Sequence, residues 1–123
     1  MSVKTTKKHF RLFKKEAQKW IEILSLIDYD VDFYHEEGGE ELASCSSYPD
    51  ARCARIDLNA TWPDEIEITD RAVRMAAFHE VCELRFSALC TLAKDRYASE
   101  IAIDAEKHAI IRVLENRWFK KCK

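Results

Sequence analysis

The side chains best suited to chemistry are His79, Glu80 and Glu83, which lie in the most apolar stretch of the chain, residues 72–92. In a helix, residues four positions apart share a face, so His79 and Glu83 can hold one metal ion between them. Glu80 then lies beside the ion, where a carboxylate can act as a general base. The pattern is HExxH with glutamate at the last position, and carboxylate oxygen is an acceptable zinc ligand. The spacing therefore predicts a metal-dependent hydrolytic site.

The same residues also have a metal-free interpretation. His79, Glu80 and Glu83 fall within an arc of about 100° on a helical wheel, and charged groups persist in a core only when they are paired or bound to metal. A buried hydrogen-bonded network would meet that requirement equally well. The arginines that could close such a network are Arg74, Arg85 and Arg96.

The predicted elements follow one another as a helix, a run of strands and two further helices, an order that predicts an α+β fold. Apolar residues from Phe10 to Ile27 keep a three-then-four spacing, which predicts an amphipathic first helix. The period then changes to two, with turn residues at positions 38–39 and 49–50, which predicts a three-stranded antiparallel meander. Its last strand, residues 53–59, is the expected edge at which an extended peptide can pair.

Two further helices complete the predicted domain. One begins near Thr69 or Asp70, runs to about Lys94 and is apolar all round, so we expect it to be the buried central helix. The other begins near Ser99 and is closed by Trp118.

The final helix offers four candidates for a third metal ligand: Glu100, Asp104, Glu106 and His108. On a helical wheel Glu106 falls inside the apolar arc and His108 at its edge, so burial favours Glu106. Imidazole is the better zinc ligand beside an existing carboxylate, which favours His108. Both residues stay candidates.

Composition limits the classes of protein and partner. The 123 residues suit a single domain (1–123), and the net charge of −2 gives no general expectation of a nucleic-acid or membrane partner. Basic residues nevertheless cluster on the first helix, and we interpret them as a solvated face. These residues are Lys4, Lys7, Lys8, Arg11, Lys14 and Lys15.

The five cysteines include no CxxC pair. Neither a signal peptide nor an apolar run of about 18 residues is present, so we expect a cytoplasmic, reduced protein. Cys45 and Cys53 could meet across a hairpin as a disulfide, or one could add a thiolate ligand. Buried small hydrophobic residues are the favoured interpretation.

The second half of the chain resembles a known family. Residues 78–84 (FHEVCEL), with residues 105–116 (AEKHAIIRVLEN), are similar to small phage-encoded metallopeptidase-like proteins, some of which carry HExxE. The element order also resembles the minimal zincin core. The resemblance implies a zinc site with His79 and Glu83 as ligands, Glu80 as base, His108 as third ligand and Glu106 in reserve. It also implies a peptide or protein substrate and the host cytoplasm.

Three functions are compatible with these patterns. The first is a small zinc-dependent hydrolase, most simply a peptidase. The second is a degenerate zincin fold that only binds a protein. The third is an interaction protein without metal, in which the polar residues form a buried network.

Overall fold

A computed structural model describes residues 2–95 and 97–119, which form three α-helices and two small β-sheets. This composition confirms the α+β class. In chain order the elements are β1 (Ser2–Lys4), α1 (Lys7–Ile23), β2 (Asp30–Glu36), β3 (Ala43–Tyr48), β4 (Cys53–Asn59), β5 (Thr61–Pro63), α2 (Asp70–Lys94) and α3 (Glu100–Arg117). The two helices of the second half begin and end as the sequence predicts, because Thr69 and Ser99 cap their first free amides.

The first helix is shorter than its apolar period predicts. It starts after Thr6, whose side chain accepts a hydrogen bond from the backbone N–H of His9. At the other end, Ser25 adopts a left-handed backbone conformation with φ of 60°, and the N–H of Leu26 donates to the carbonyl of Ile21. That bond is the Schellman closure of a helix end. The apolar residues beyond Ile23 therefore belong to the turn that follows, where Leu26 is buried.

The larger sheet is mixed, so the predicted antiparallel meander is wrong. Its strand order is β2-β4-β3, with β4 parallel to β2 and antiparallel to β3. Ala54, Ile56 and Leu58 of β4 are all buried, at 7%, 0% and 0% exposure, and a central position gives this most apolar strand a partner on each side. The prediction that residues 53–59 form an edge is consequently wrong, because β2 and β3 are the edge strands of this sheet.

The connection from β2 to β3 is held in place by Asn59. The side chain accepts from the backbone N–H groups of Gly38 (2.9 Å) and Thr61 (3.1 Å). It donates to the carbonyls of Gly39 (2.9 Å) and Glu41 (2.7 Å). A side chain at Gly38 would place its Cβ 3.3 Å from the Asn59 amide, so the loop backbone lies close to the Asn59 side chain at this point. This buried amide fixes the chain immediately before β3.

The core lies between the larger sheet and helices α1 and α2. Trp62 of β5 is fully buried there, and its indole N–H donates to the carbonyl of Leu42 at 3.1 Å. α2 is not buried all round as predicted, because Met75 and Phe86 are 58% and 45% exposed. α3 packs chiefly on α2 and buries only Ile110 fully among its described residues. No described helix combines the length and apolarity that a bilayer crossing requires.

The strand register excludes the suggested pairing of Cys45 with Cys53. Cys45 lies opposite Ile56, whereas Cys53 lies opposite Tyr48, three positions away along β4. Successive residues of a strand point to opposite faces, so positions three apart differ in face and the two cysteine side chains lie on different sides of the sheet. Both cysteines are free, and both are half-buried.

Candidate metal site

The candidate site lies near the middle of α2, on the side that faces β3. Glu80 falls on the buried face of the helix, one turn after Ala76 and one turn before Leu84, and is itself only 5% exposed. His79 and Glu83 lie at the border of that face, and their side chains are 68% and 57% exposed. The helix thus presents one buried acid between two accessible side chains that could bind a metal ion.

The three side chains converge on one point. Each offers one ligand atom, and these atoms all lie within 4.8 Å of one another. His79 Nε2 is 3.8 Å from Glu83 Oε1 across one helical turn. Imidazole and carboxylate groups at these separations suit zinc, and also manganese or iron.

A cleft of about 620 Å³ opens over these residues. Its floor is α2, and its opposite wall is the edge strand β3 with the two residues that precede it. Three of the larger lining side chains are apolar: Leu42, Ile66 and Met75. Among the strands that the structure describes, β3 pairs only with β4, so its other edge is open for a further strand. The site and an unpaired strand edge therefore share one cleft.

Glu80 is the most perturbed acid of the site. Its pKa is raised from 4.5 to about 8, chiefly by burial and also by a hydrogen bond with Glu83 and the charges of Glu83 and Glu41. Two carboxyl groups this close favour sharing a proton over both being ionised. A divalent cation would offset the same repulsion, so the electrostatics of the group fit a metal ion.

Cys45 lines the same cleft from β3. Burial, together with the charges of Glu80, Glu83 and Asp57, raises the pKa of its thiol to about 12. A thiol in this state is neutral and a weak ligand. The position of Cys45 in the cleft thus favours the suggested extra thiolate ligand, whereas the neighbouring negative charges oppose formation of the thiolate.

The candidates for a third ligand lie elsewhere. His108 Nδ1 is 2.8 Å from the carbonyl oxygen of Asp104 on the same helix, and the imidazole is 63% exposed. Glu106 is half-buried on α3. Within the described residues neither side chain belongs to the group formed by His79, Glu80 and Glu83. Their role as ligands stays a prediction.

The arginines proposed for a metal-free network do not complete one in the described part of the chain. Neither Arg74 nor Arg85 forms an ion pair with Glu80 there, and Arg85 Nε is buried without a hydrogen-bond partner. Arg96 lies outside the described residues.

One charged residue of the cleft escaped the sequence analysis. Glu41 lines the cleft and contributes to the raised pKa of Glu80, although it is far away in sequence. Glu41 lies just before β3, whose serine-rich sequence carries little apolar surface and is typical of an edge strand. That composition is the signal that could have placed this segment at the edge of the sheet.

The fold and the site define a small α+β domain with a group of metal-binding composition in an open cleft. No protein-family model matches the chain, and neither does any curated protein or solved structure.

Proposed function

We propose that the protein is a small zinc-dependent hydrolase acting on a peptide or protein in the cytoplasm, similar to the phage-encoded metallopeptidase-like proteins. The main support is the convergence of His79, Glu80 and Glu83 to within 4.8 Å in a cleft bordered by an open strand edge. A hydrolase of extended peptides needs both features in one place.

In this proposal His79 and Glu83 hold the ion, since both are accessible and lie one helical turn apart. His108, or Glu106 in its place, completes the ligand set if α3 moves towards the group. A bound zinc ion would supply Lewis acidity to a water molecule and to the scissile carbonyl group.

Glu80 has the role of general base. Its carboxylate accepts a proton from the attacking water and passes that proton to the leaving amine. The buried position of Glu80 at the floor of the cleft, with 5% exposure, keeps the carboxyl group out of bulk solvent. The neighbouring ligands orient it, because all three side chains project from one helix.

The substrate would extend along β3. A peptide pairing with this open edge forms main-chain hydrogen bonds without regard to side chain, and its alternate residues point into the cleft. Ile66 and Met75 border that space and favour apolar side chains there.

The test combines metal content with hydrolysis. We expect about one equivalent of zinc in protein purified without an affinity tag or chelator, and slow cleavage of unstructured peptides. The variant Glu80→Gln should keep its metal and lose at least about 100-fold in rate, in line with the loss of a general base. Glu65→Gln, an exposed site outside the cleft, is the matched control and should behave as wild type. A wild type without metal would overturn the proposal.

One observation favours a second function. A Glu80 oxygen lies within the same 4.8 Å as the ligand atoms of His79 and Glu83, so Glu80 can itself serve as third ligand. No base would then remain, and the cleft would bind a peptide strand without cleaving it. Loss of metal in Glu80→Gln, together with peptide binding and no hydrolysis by the wild type, would select this function. The metal-free interaction protein is selected if chelation leaves melting unchanged and no metal is found.

A further inference from the structure

The outward face of α1 is a continuous basic surface. Six basic side chains lie within an arc of about 140° at 100° per residue. Four of them form a ladder in which each follows the last by one helical turn, so the ladder is about 18 Å long at 1.5 Å per residue. We call this surface the basic face; its members are the ladder Lys7, Arg11, Lys15 and Lys19 with the flanking Lys8 and Lys14. All six are exposed.

Most of these charges are unneutralised within the described part of the chain. Lys19 pairs with Glu16 at 3.1 Å, and the ammonium group of Lys14 lies 5.7 Å from the centre of the Phe33 ring. The other four members form no ion pair with a described residue. Glu22, at the far end of the helix, is the one acidic residue inside the arc. A surface of this kind attracts a polyanion.

The apolar side of α1 is not available to a partner. Phe13, Ala17 and Ile21 are 0%, 0% and 9% exposed, because they pack into the core. A helix that lies on a membrane must bury its apolar face in the lipid, so α1 lacks what that mode requires. Protein interfaces also have an apolar centre with aromatic anchors, and the basic face has none.

We propose that the basic face binds the phosphate backbone of a nucleic acid without reading its sequence. A ladder of about 18 Å runs beside roughly ten phosphate charges of a duplex, at one charge per 1.7 Å. No aromatic side chain belongs to the face, so stacking on bases plays no part. The net charge of −2, from which we expected no nucleic-acid partner, averages these positive charges with acidic residues elsewhere. Among those acids are Glu41, Glu80 and Glu83 of the cleft.

The test measures binding of a fluorescent 20-base duplex and of its single strand by anisotropy, at 50 to 200 mM salt. Arg11→Glu with Lys15→Glu should lower affinity more than tenfold at 50 mM salt and reduce the salt slope by about two. The control is Lys107→Glu with Arg112→Glu, which makes the same change in net charge on exposed positions of α3. We expect this control to bind as wild type does.

Melting curves establish that each variant is folded. If the double variant Arg11→Glu with Lys15→Glu unfolds, Arg11→Gln with Lys15→Gln replaces it. Three results would overturn the proposal: no binding at 50 mM salt, equal weakening in the α1 and α3 variants, or polyglutamate binding as tight as that of the duplex. The last result would assign the face to an acidic protein. None of these measurements depends on the cleft, so they stand apart from the test of hydrolysis.

Discussion

His79 Nε2 lies 3.8 Å from Glu83 Oε1 on the accessible border of α2. Between them in sequence, Glu80 turns to the buried face of the same helix and is 5% exposed. One helical turn thus carries two side chains that solvent reaches and, between them in sequence, one that it does not. Under the proposed function, the outer pair binds the metal ion and the inner acid transfers the proton.

The ligand set can be tested by comparing two histidines. We expect His79→Ala to lower zinc affinity by at least about 100-fold, since it removes one of the outer pair. In the described conformation His108 bonds to Asp104 and lies outside the converging group, so with α3 in this position His108→Ala should change zinc affinity by less than about threefold. Isothermal titration with zinc provides the measurement. An equal loss in both variants would establish His108 as the third ligand.

The stability of the metal-free protein should fall as pH rises from about 4.5 to 8. The folded-state pKa of Glu80 is raised from 4.5 to about 8, so the fold favours the neutral acid. Its contribution is complete below the unfolded pKa and is lost as pH passes the folded pKa. We expect the free energy of unfolding to fall by an amount on the order of 2–4 kcal/mol. This figure takes about 1.4 kcal/mol per pKa unit and is reduced because solvent screens the exposed Glu83.

Urea unfolding across this pH range, with chelator present, measures the effect. Glu80→Gln is neutral at every pH and should flatten the curve, whereas the exposed control Glu65→Gln should keep the wild-type slope. A wild-type curve that is flat or rises between pH 4.5 and 8 would contradict the raised pKa of Glu80.

Cys45 should react slowly with alkylating agents. The thiolate is the reactive form, and the pKa of this thiol is raised to about 12, chiefly by burial. At pH 8 we expect labelling by iodoacetamide on the order of 100-fold slower than at the exposed Cys90. Mass spectrometry of the digested protein gives both rates in one sample. Labelling in urea should remove the difference, and equal rates in the folded protein would refute the prediction.

Asn59 should be a large contributor to stability for a single polar side chain. Its amide satisfies two backbone N–H groups and two carbonyls at the crossing loop. Asn59→Ala leaves these groups without a partner, and we expect a loss of about 2–4 kcal/mol in the free energy of unfolding. The exposed Asn116→Ala on α3 is the control and should lie within about 0.5 kcal/mol of wild type. Denaturant titration of both variants and the wild type measures these free energies, and equal stability of Asn59→Ala and Asn116→Ala would contradict the prediction.

Local signals account for what was predicted well. Thr69 and Ser99 are capping residues directly before apolar periodic segments, so the starts of α2 and α3 depend on nearby atoms alone. The closeness of His79 to Glu83 follows from helical geometry in the same way. The end of α1 was missed because the left-handed conformation of Ser25 is rare for a residue other than glycine.

The sequence by itself determined the α+β class, two of the three helices and the three residues that converge on α2. Only the tertiary structure decided that β4 is central, that β3 is the open edge above the site, and that Glu41 reaches the cleft. Helical periods and caps depend on residues close together in the chain, so the sequence alone reveals them. Strand order and cleft walls depend on which apolar surfaces are buried together across the whole chain, and spacing along the sequence does not encode that choice.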